Sequence, residues 1–305
     1  MSILNSLIFK FFFSPLIPIK TFYYWRKANT KVLPGREFAS FGFKSGVSLL
    51  INGKLSLKLL FNPVSIVRYF EFDFAFSNLK IAKNTKLLDV SSPYLFGFFI
   101  SINYRCTYNY INPDKEDLKN VTSLASKFKF KGEYSTKPLD ATQLRLPNSS
   151  YDYIVSISVI EHIADHGDSK AIQEMWRLLK PGGELIITLP VKKKFETEYT
   201  DSDLYNLNQT RNQKRYFFQR IYDLDTIKER LLSSIHNFEI VEQKVFGESI
   251  EGFYERYKSK WIDHGYWETV KDPYYITNFF NYFQNINELI GLGVVGLRIK
   301  KSNET

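Results

Sequence analysis

The stretch LRLPNSSYDYIVSISVIEHIADHGDSKAIQEMWRLLKPGGELIITLP, residues 144–190, places a strand, a helix and a second strand in direct succession. YDYIVSIS (151–158) and ELIITLP (184–190) are short apolar runs typical of strands buried on both faces. Between them, Asp168 or Ser169 is available as an N-cap and Pro181-Gly182-Gly183 as a stop. Apolar residues recur there at helical spacing: Ile172, Met175, Trp176 and Leu179. The order predicts a strand–helix–strand unit of a parallel sheet.

Upstream of this stretch the same alternation continues. NPVSIVRYFEFDFAFSNL (62–79) has apolar residues at helical spacing and predicts a helix that leads into the sheet. KLLDV (86–90) and TYNYIN (107–112) each predict a buried strand. Alternating strands and helices with apolar strands indicate a parallel sheet with helices on both faces.

Composition limits the kind of protein. At 305 residues, with 44% hydrophobic and 17% aromatic content, the chain is long for one domain and suits one domain with elaborations. The single cysteine, Cys106, cannot form an internal disulfide, and no spaced Cys/His set predicts a structural zinc site. A reducing, cytoplasmic location is therefore expected.

The net charge of +9 is concentrated at the N-terminus, where residues 1–70 hold ten Lys or Arg and one acid, Glu37. An anionic partner should therefore bind to residues 1–60.

The opening MSILNSLIFKFFFSPLIPIKTFYYWRK is not expected to form a membrane-spanning helix, because Lys10, Pro15 and Pro18 interrupt its apolar run, and it lacks the features of a secretory signal. Two alternatives remain: an interfacial anchor at the inner face of the membrane, or a helix packed on the rest of the protein.

The block from Asp140 to Pro190 resembles the central block of class I S-adenosylmethionine-dependent methyltransferases: a Leu-Pro, a Tyr-Asp strand, the pair Glu161-His162, a helix ending Leu-Lys-Pro-Gly-Gly, and a strand. FEIVEQKVFGE (238–248) and GVVGLRIKK (293–301) are similar to that family's last strand pair. The resemblance implies a Rossmann-like α/β fold with a seven-stranded, mainly parallel sheet, a final antiparallel strand and helices on both faces.

The domain organisation follows from these boundaries. Residues 1–60 are expected to form a basic, aromatic accessory segment, and residues 61–305 the methyltransferase domain. An aromatic-rich insertion is expected at about residues 250–290, within the domain.

The resemblance implies S-adenosylmethionine as cofactor, bound at the carboxyl edge of the strands. The family's first loop reads Asp/Glu-x-Gly-x-Gly-x-Gly, whereas Asp89 here is followed by Ser91, Pro93 and Leu95 at the glycine positions. A divergent subset of the family is similar to this Asp-x-Ser-Ser-Pro form. The loss of glycine matters physically because glycine tolerates positive φ and close approach of the backbone to a ligand.

Other positions carry over residue by residue. Asn112 stands where the family has a ribose-binding acid, with Asp114 two residues on, and Asp140-Ala141 matches the adenine-binding pair. Ile157 is implied at the cofactor edge of its strand. The implied cofactor-binding set is Asp89, Ser91, Asn112, Asp140, Ala141 and Ile157. A turn or cap carboxylate remains an equal alternative for Asp140, and a solvated strand end a weaker one for Asp89.

His162 has two interpretations. As a catalytic residue it would act as general base for a hydroxyl or ammonium nucleophile; alternatively Glu161 and His162 fix the loop and the start of the next helix, which we favour. Four neighbouring residues have the side-chain types of a metal cluster: His162, Asp165, His166 and Asp168. Their sequence is typical of a turn, so no metal site is predicted.

The acceptor is expected to be a small molecule, a glycan or a lipid-linked intermediate. The aromatic side chains of residues 253–283 could stack on sugar or aromatic rings, or form a helical cap. No arginine-rich stripe accompanies the sheet, which argues against nucleic acid. The alternative function is a non-catalytic binding or scaffolding module: the missing glycines and Asn112 favour it, and the Asp140–Pro190 block favours the enzyme.

Overall fold

The computed structural model describes residues 14–201, 211–212 and 215–303, and it divides into two units. The larger unit consists of the described parts of Phe74–Val245, Gln284–Glu288 and Gly293–Thr305. The smaller unit consists of the described parts of Met1–Asp73, Phe246–Phe283 and Leu289–Leu292. Neither set of ranges was predicted from the sequence, and the domain boundary at residue 60 stays a prediction.

The described residues form eleven strands. Their bounds are Lys86–Val90 (β1), Thr107–Ile111 (β2), Glu133–Lys137 (β3), Tyr151–Ile157 (β4), Leu179–Val191 (β5), Glu196–Thr200 (β6), Arg211–Asn212 (β7), Arg215–Ile221 (β8), Phe238–Glu248 (β9), Phe280–Phe283 (β10) and Gly293–Lys301 (β11).

The main sheet is mostly parallel, as predicted. Seven of its strands follow the order β9-β11-β5-β4-β1-β2-β3. β1 pairs parallel with β2 and β4, β2 with β3, and β4 with β5, whereas β11 is antiparallel to β5. The main sheet of the described chain has eight strands rather than the predicted seven, because the short β10 pairs with β9. The Rossmann-like fold is otherwise confirmed.

Helices of the described residues precede the sheet and connect its strands. Their bounds are Ile17–Ala28 (α1), Arg36–Ile51 (α2), Leu57–Phe61 (α3), Arg68–Ser77 (α4), Tyr94–Asn103 (α5), Lys115–Ala125 (α6), Gly167–Leu178 (α7), Leu224–Thr226 (α8), Phe253–His264 (α9), Tyr266–Thr269 (α10) and Asp272–Phe279 (α11).

The helix predicted between residues 168 and 183 is α7, with changed ends. It buries Ile172 and Met175 against the sheet, as the helical spacing predicts. His166 occupies the N-cap position, so the expected caps Asp168 and Ser169 are wrong. α7 ends at Leu178, because the chain turns into β5 at Leu179, earlier than the expected stop.

A second, three-stranded sheet of order β6-β8-β7 follows β5 and was not predicted. β6 and β8 form an antiparallel pair, the β6–β8 hairpin, in the larger unit. A parallel bridge between Val191 and Tyr222 joins the two ends of this insertion. After β8 the short helix α8 continues into a π-helical turn at Ile227–Leu231.

The smaller unit is mainly helical, and the predicted aromatic insertion contributes α9, α10 and α11 to it. Within this unit, the Asn62 side-chain amide donates to Asp272 Oδ2 at 3.1 Å, which ties the N-terminal helices to the insertion. None of the described helices combines the length and the apolar character that crossing a membrane requires.

Candidate functional site

The loop after β1 takes a glycine-like backbone conformation without glycine. Ser91 has a φ of 56°, in the left-handed region that glycine occupies at least cost. Its backbone N–H and its hydroxyl both donate to the carbonyl of Ile111 at 2.9 Å, so the loop is tied to the end of β2. At the first glycine position, Ser91 therefore adopts the positive φ itself, and its two hydrogen bonds hold this strained backbone conformation.

Asp89 lies at the end of β1 as predicted, but its carboxylate is directed into the protein. It is fully buried, Oδ1 accepts the backbone N–H of Ser92 at 2.9 Å, and Oδ2 accepts the hydroxyl of Tyr108. Burial raises the pKa of Asp89 to about 6, against the opposing effect of these hydrogen bonds. The weaker alternative, a solvated strand end, is therefore wrong, and Asp89 positions the loop.

Ser92, which the sequence analysis did not single out, connects the loop to the neighbouring strand. Its hydroxyl oxygen accepts the backbone N–H of Ile157 at 3.1 Å, and Ser92 itself is completely buried. Ile157 lies at the end of β4 with a fully buried side chain. The Asp89–Ser92–Ile157 chain of hydrogen bonds thus holds the carboxyl ends of β1 and β4 together.

The close approach of helix and strand that the third glycine of the family provides occurs at Gly97. A Cβ at this position would lie 2.7 Å from Cε1 and 2.9 Å from the hydroxyl oxygen of Tyr108. Leu95, at the aligned glycine position, is instead part of the buried core. Gly97 therefore permits α5 to pack directly on β2, two residues later than the family pattern.

Asn112 follows β2 and uses its amide locally. Its NH₂ group donates to Asp117 Oδ2 at 2.8 Å, and its Oδ1 accepts the backbone N–H of Asp114 at 2.9 Å. Asp114 is the N-cap of α6, where its Oδ1 accepts the N–H groups of Glu116 and Asp117 at 2.9 and 3.1 Å. Asp114 Oδ2 takes no part in these capping bonds.

Asp140 lies in a turn three residues beyond β3. Its Oδ1 accepts both the backbone N–H and the hydroxyl of Thr142 at 2.8 Å, the geometry of a turn carboxylate. Asp140 is exposed and Ala141 is buried. Oδ2 of Asp140 and the N–H of Ala141 are not used in this turn. The turn uses one oxygen of Asp140, and the cofactor-binding interpretation of the residue stays a prediction.

His162 connects the loop after β4 to the β6–β8 hairpin. It lies in a short 3₁₀ turn, and its Nδ1 is 2.8 Å from the carbonyl oxygen of Phe218, to which it donates. The side chain is 17% exposed, and its ring packs on Phe218 with centroids 5.1 Å apart. These contacts are what the structural interpretation of His162 requires.

A cluster of charged side chains, Asp168, Arg220 and Arg230, also holds the loop that carries His162. Asp168 is fully buried; its Oδ2 accepts Nε of Arg230 and the hydroxyl of Tyr222 at 2.8 and 2.9 Å. Arg220 donates to the carbonyl oxygens of Ile163 and Asp165, inside the loop. The Asp168 carboxylate is occupied by arginine, and no group of three or more metal-ligating side chains is found among the described residues.

The comparisons with known proteins bear on the same region. Residues 97–187, from α5 into β5, match the family model described as a methyltransferase domain. The chain carries a class I S-adenosylmethionine-dependent methyltransferase domain. The match begins after the loop at Ser91–Pro93, so the Asp-x-Ser-Ser-Pro interpretation of that loop stays a prediction. No curated protein matches this methyltransferase.

Among solved structures, the methyltransferase is similar to the [4+2]-cyclase SpnF, with 16% identity, a TM-score of 0.46, and coverage of 76% of this chain and 79% of that one. It is also similar to a SAM-dependent methyltransferase of Methanosarcina mazei, with 17% identity, a TM-score of 0.45, and coverage of 73% and 95%. A SAM-dependent methyltransferase of Thermotoga maritima has 16% identity, a TM-score of 0.43, and coverage of 76% and 87%.

The carboxyl edge of the methyltransferase sheet suits its cofactor, S-adenosylmethionine. The loop at Ser91 has a left-handed backbone, and Ser158, after β4, has a φ of 46°. These two left-handed residues stand at the ends of neighbouring strands, where α/β folds bind their ligands. The hydrogen-bond acceptors are appropriate too, because the carboxylate oxygens of Asp114 and Asp140 can accept from hydroxyl and amino groups.

Several residues of this methyltransferase site escaped the sequence analysis. Ser92 and Tyr108 act through contacts between elements distant in sequence, so no local signal identified them. Gly97 did have a signal, because glycine inside the apolar run YLFGFFISIN lowers helix stability and calls for a packing reason. Arg220 lies in the hairpin that was not predicted.

Proposed function

We propose that this methyltransferase transfers the methyl group of S-adenosylmethionine to a small-molecule, glycan or lipid-linked acceptor held against the β6–β8 hairpin. The observation that supports it is the contact between His162 and Phe218, which puts the hairpin beside the carboxyl-edge loop where the family binds its cofactor. Methyl transfer itself follows from the domain; the acceptor class is the proposal.

We assign the cofactor contacts to the groups that the fold leaves available. Asp140 Oδ2 would accept from the adenine amino group and the Ala141 N–H would donate to the ring. Asp114 Oδ2, together with the remaining lone pair of Asn112 Oδ1, would accept from the ribose hydroxyls. Ser91 and Ser92 would bring the loop backbone against the methionyl part, with Asp89 positioning that loop and Ile157 forming the apolar end of β4.

Once bound, S-adenosylmethionine supplies a sulfonium-activated methyl group. The protein therefore mainly has to align the acceptor atom in line with the methyl–sulfur bond and to exclude water. His162 serves this alignment: its Nδ1–H donates to the Phe218 carbonyl, which fixes the distance between the loop and the hairpin. In this role His162 is a positioning residue.

The hairpin has the surface that a polar, ring-containing acceptor requires. Tyr199 and Tyr216 are partly exposed on it, and aromatic faces of this kind stack on sugar rings. Lys193 and Lys194, in the turn that leads into β6, are exposed and would attract a phosphate on a glycan or lipid-linked acceptor.

The test is transfer of label from methyl-labelled S-adenosylmethionine to two fractions of a cell extract, one water-soluble and one extracted with organic solvent. The proposal predicts label in a molecule of one of these fractions. Label confined to protein or nucleic acid would contradict it. Asp140→Asn keeps the Oδ1 acceptor of the turn and should weaken cofactor binding about 10-fold, by loss of a charge-assisted hydrogen bond. Asp225→Asn, an exposed aspartate in α8, is the matched control.

A further inference from the structure

The first described helix, α1, exposes apolar side chains and buries small ones, the reverse of an ordinary surface helix. Its most buried residues are Thr21 and Ala28. On the opposite side, Ile19 is 68% and Phe22 65% exposed, and Tyr23 next to them is also exposed. More than half of each of these apolar side chains is therefore exposed within the described chain.

The other side of α1 already has its partners in the smaller unit. The Tyr24 ring packs on Tyr274 with centroids 5.5 Å apart, and Trp25 on Phe43 at 5.3 Å. The Lys20 ammonium lies 3.5 Å from the centroid of the Trp267 ring. These contacts fix the rotation of α1, so the exposed side of Ile19 and Phe22 is a fixed feature of the helix.

The neighbouring segment continues the pattern. The last turn of α2 exposes Val47, Leu50 and Ile51, and Leu55 and Leu57 follow. More than half of the large hydrophobic side chains that are exposed in the described residues lie between Leu16 and Leu57. Surface apolar residues concentrated in this way indicate an interaction site rather than the normal scatter.

The charge of the same segment identifies the partner. Between residues 14 and 70 the sequence has nine Lys or Arg and a single acid, Glu37. Arg26 and Lys27 are exposed in the last turn of α1, and Lys44 and Lys58 are exposed beside the apolar residues of α2 and α3. Apolar residues between basic ones, with tyrosine at the boundary, suit a bilayer surface with anionic headgroups.

We propose that the exposed face of α1 and the α2–α3 segment, comprising Ile19, Phe22, Val47, Leu50 and Ile51 with the basic residues around them, docks the enzyme on an anionic lipid bilayer. The apolar side chains enter the headgroup–acyl boundary, and the lysine and arginine side chains reach the lipid phosphates. The inference is independent of the acceptor proposed above.

The test is co-sedimentation of the full chain with vesicles of phosphatidylcholine containing about one third phosphatidylglycerol, and with vesicles of phosphatidylcholine alone. The variant Ile19→Glu/Phe22→Glu replaces two side chains that are mostly exposed, so its melting temperature should stay close to that of the wild type. Ile240→Glu, an apolar residue 40% exposed on β9 in the larger unit, is the matched control.

We expect binding to the anionic vesicles that weakens with salt, and little binding to the neutral ones. The double variant should bind at least ~100-fold more weakly, and Ile240→Glu should bind like the wild type. Failure of the wild type to sediment, equal binding to neutral vesicles, or an unaffected double variant would each overturn the proposal. A wild-type dimer that the double variant converts to monomer would instead make this face an interface between two copies.

Discussion

Replacing Gly97 by alanine tests the contact between α5 and β2. The new Cβ would lie 2.7–2.9 Å from the ring and hydroxyl of Tyr108, closer than real Cβ contacts come. Tyr108 cannot yield easily, because it is fully buried and its hydroxyl donates to Asp89. Overpacking costs about 1–3 kcal/mol, and loss of the Tyr108 hydrogen bond about 1 kcal/mol more. Alanine's better helix propensity offsets about 1 kcal/mol.

We therefore expect Gly97→Ala to lower the free energy of unfolding by about 2 kcal/mol. Because α5 begins directly after the Ser91–Pro93 loop, its displacement should also weaken binding of S-adenosylhomocysteine, by about 10-fold. Urea unfolding followed by fluorescence measures the first effect and calorimetry the second.

The control lies on the same helix. The Ser101 hydroxyl is buried without a hydrogen-bond partner among the described residues, so Ser101→Ala should leave stability unchanged or raise it. Unchanged stability and affinity in Gly97→Ala would refute the argument that the glycine position of the family has moved to Gly97.

Three further results are expected. Burial raises the pKa of Asp89 to about 6, so the protonated Asp89 side chain contributes fully to stability below about pH 4 and this contribution is lost as pH rises through 6. Asp89→Asn cannot titrate, so the free energy of unfolding of this variant should lack that decline of about 3 kcal/mol, measured by urea unfolding across this range. Asp168→Asn leaves the Arg230 guanidinium without its buried counter-charge, so it should lower the free energy of unfolding by about 3–5 kcal/mol, and unchanged unfolding would contradict the role of the cluster. His162→Gln should lower cofactor affinity and melting temperature together, whereas a collapse of turnover at unchanged affinity and melting temperature would make His162 the general base.

Much of the fold could be predicted because its strands are apolar runs with clear ends. The bounds of β1, β9 and β11 agree with those read from KLLDV, FEIVEQKVFGE and GVVGLRIKK. β3 (EYSTK) and β6 (ETEYT) escaped prediction because polar and charged residues dominate them, and β8 (RYFFQRI) because Arg and Gln interrupt its apolar residues. A partly exposed strand gives a weak signal, since its side chains do not have to be apolar.

The candidate site was predicted in position more than in orientation. The sequence places Asp89 and Asn112 at the ends of two predicted strands, and the family resemblance adds Asp140. The structure brings all three to one edge of the sheet. It could not reveal that Asp89 faces inward, because the carboxylate is held by Tyr108, which lies on another strand. The direction of a strand-end carboxylate depends on the neighbouring strand, and the register between strands is not a local property of the sequence.

The central claim is that this glycine-poor loop still belongs to a working S-adenosylmethionine site. The most direct measurement is titration calorimetry of the full chain with S-adenosylmethionine and with S-adenosylhomocysteine. We predict saturable binding of one ligand per chain with a dissociation constant below about 1 mM, weakened in Asp140→Asn and unchanged in Asp225→Asn. Absence of heat and of any thermal shift with either ligand at about 1 mM would contradict the claim.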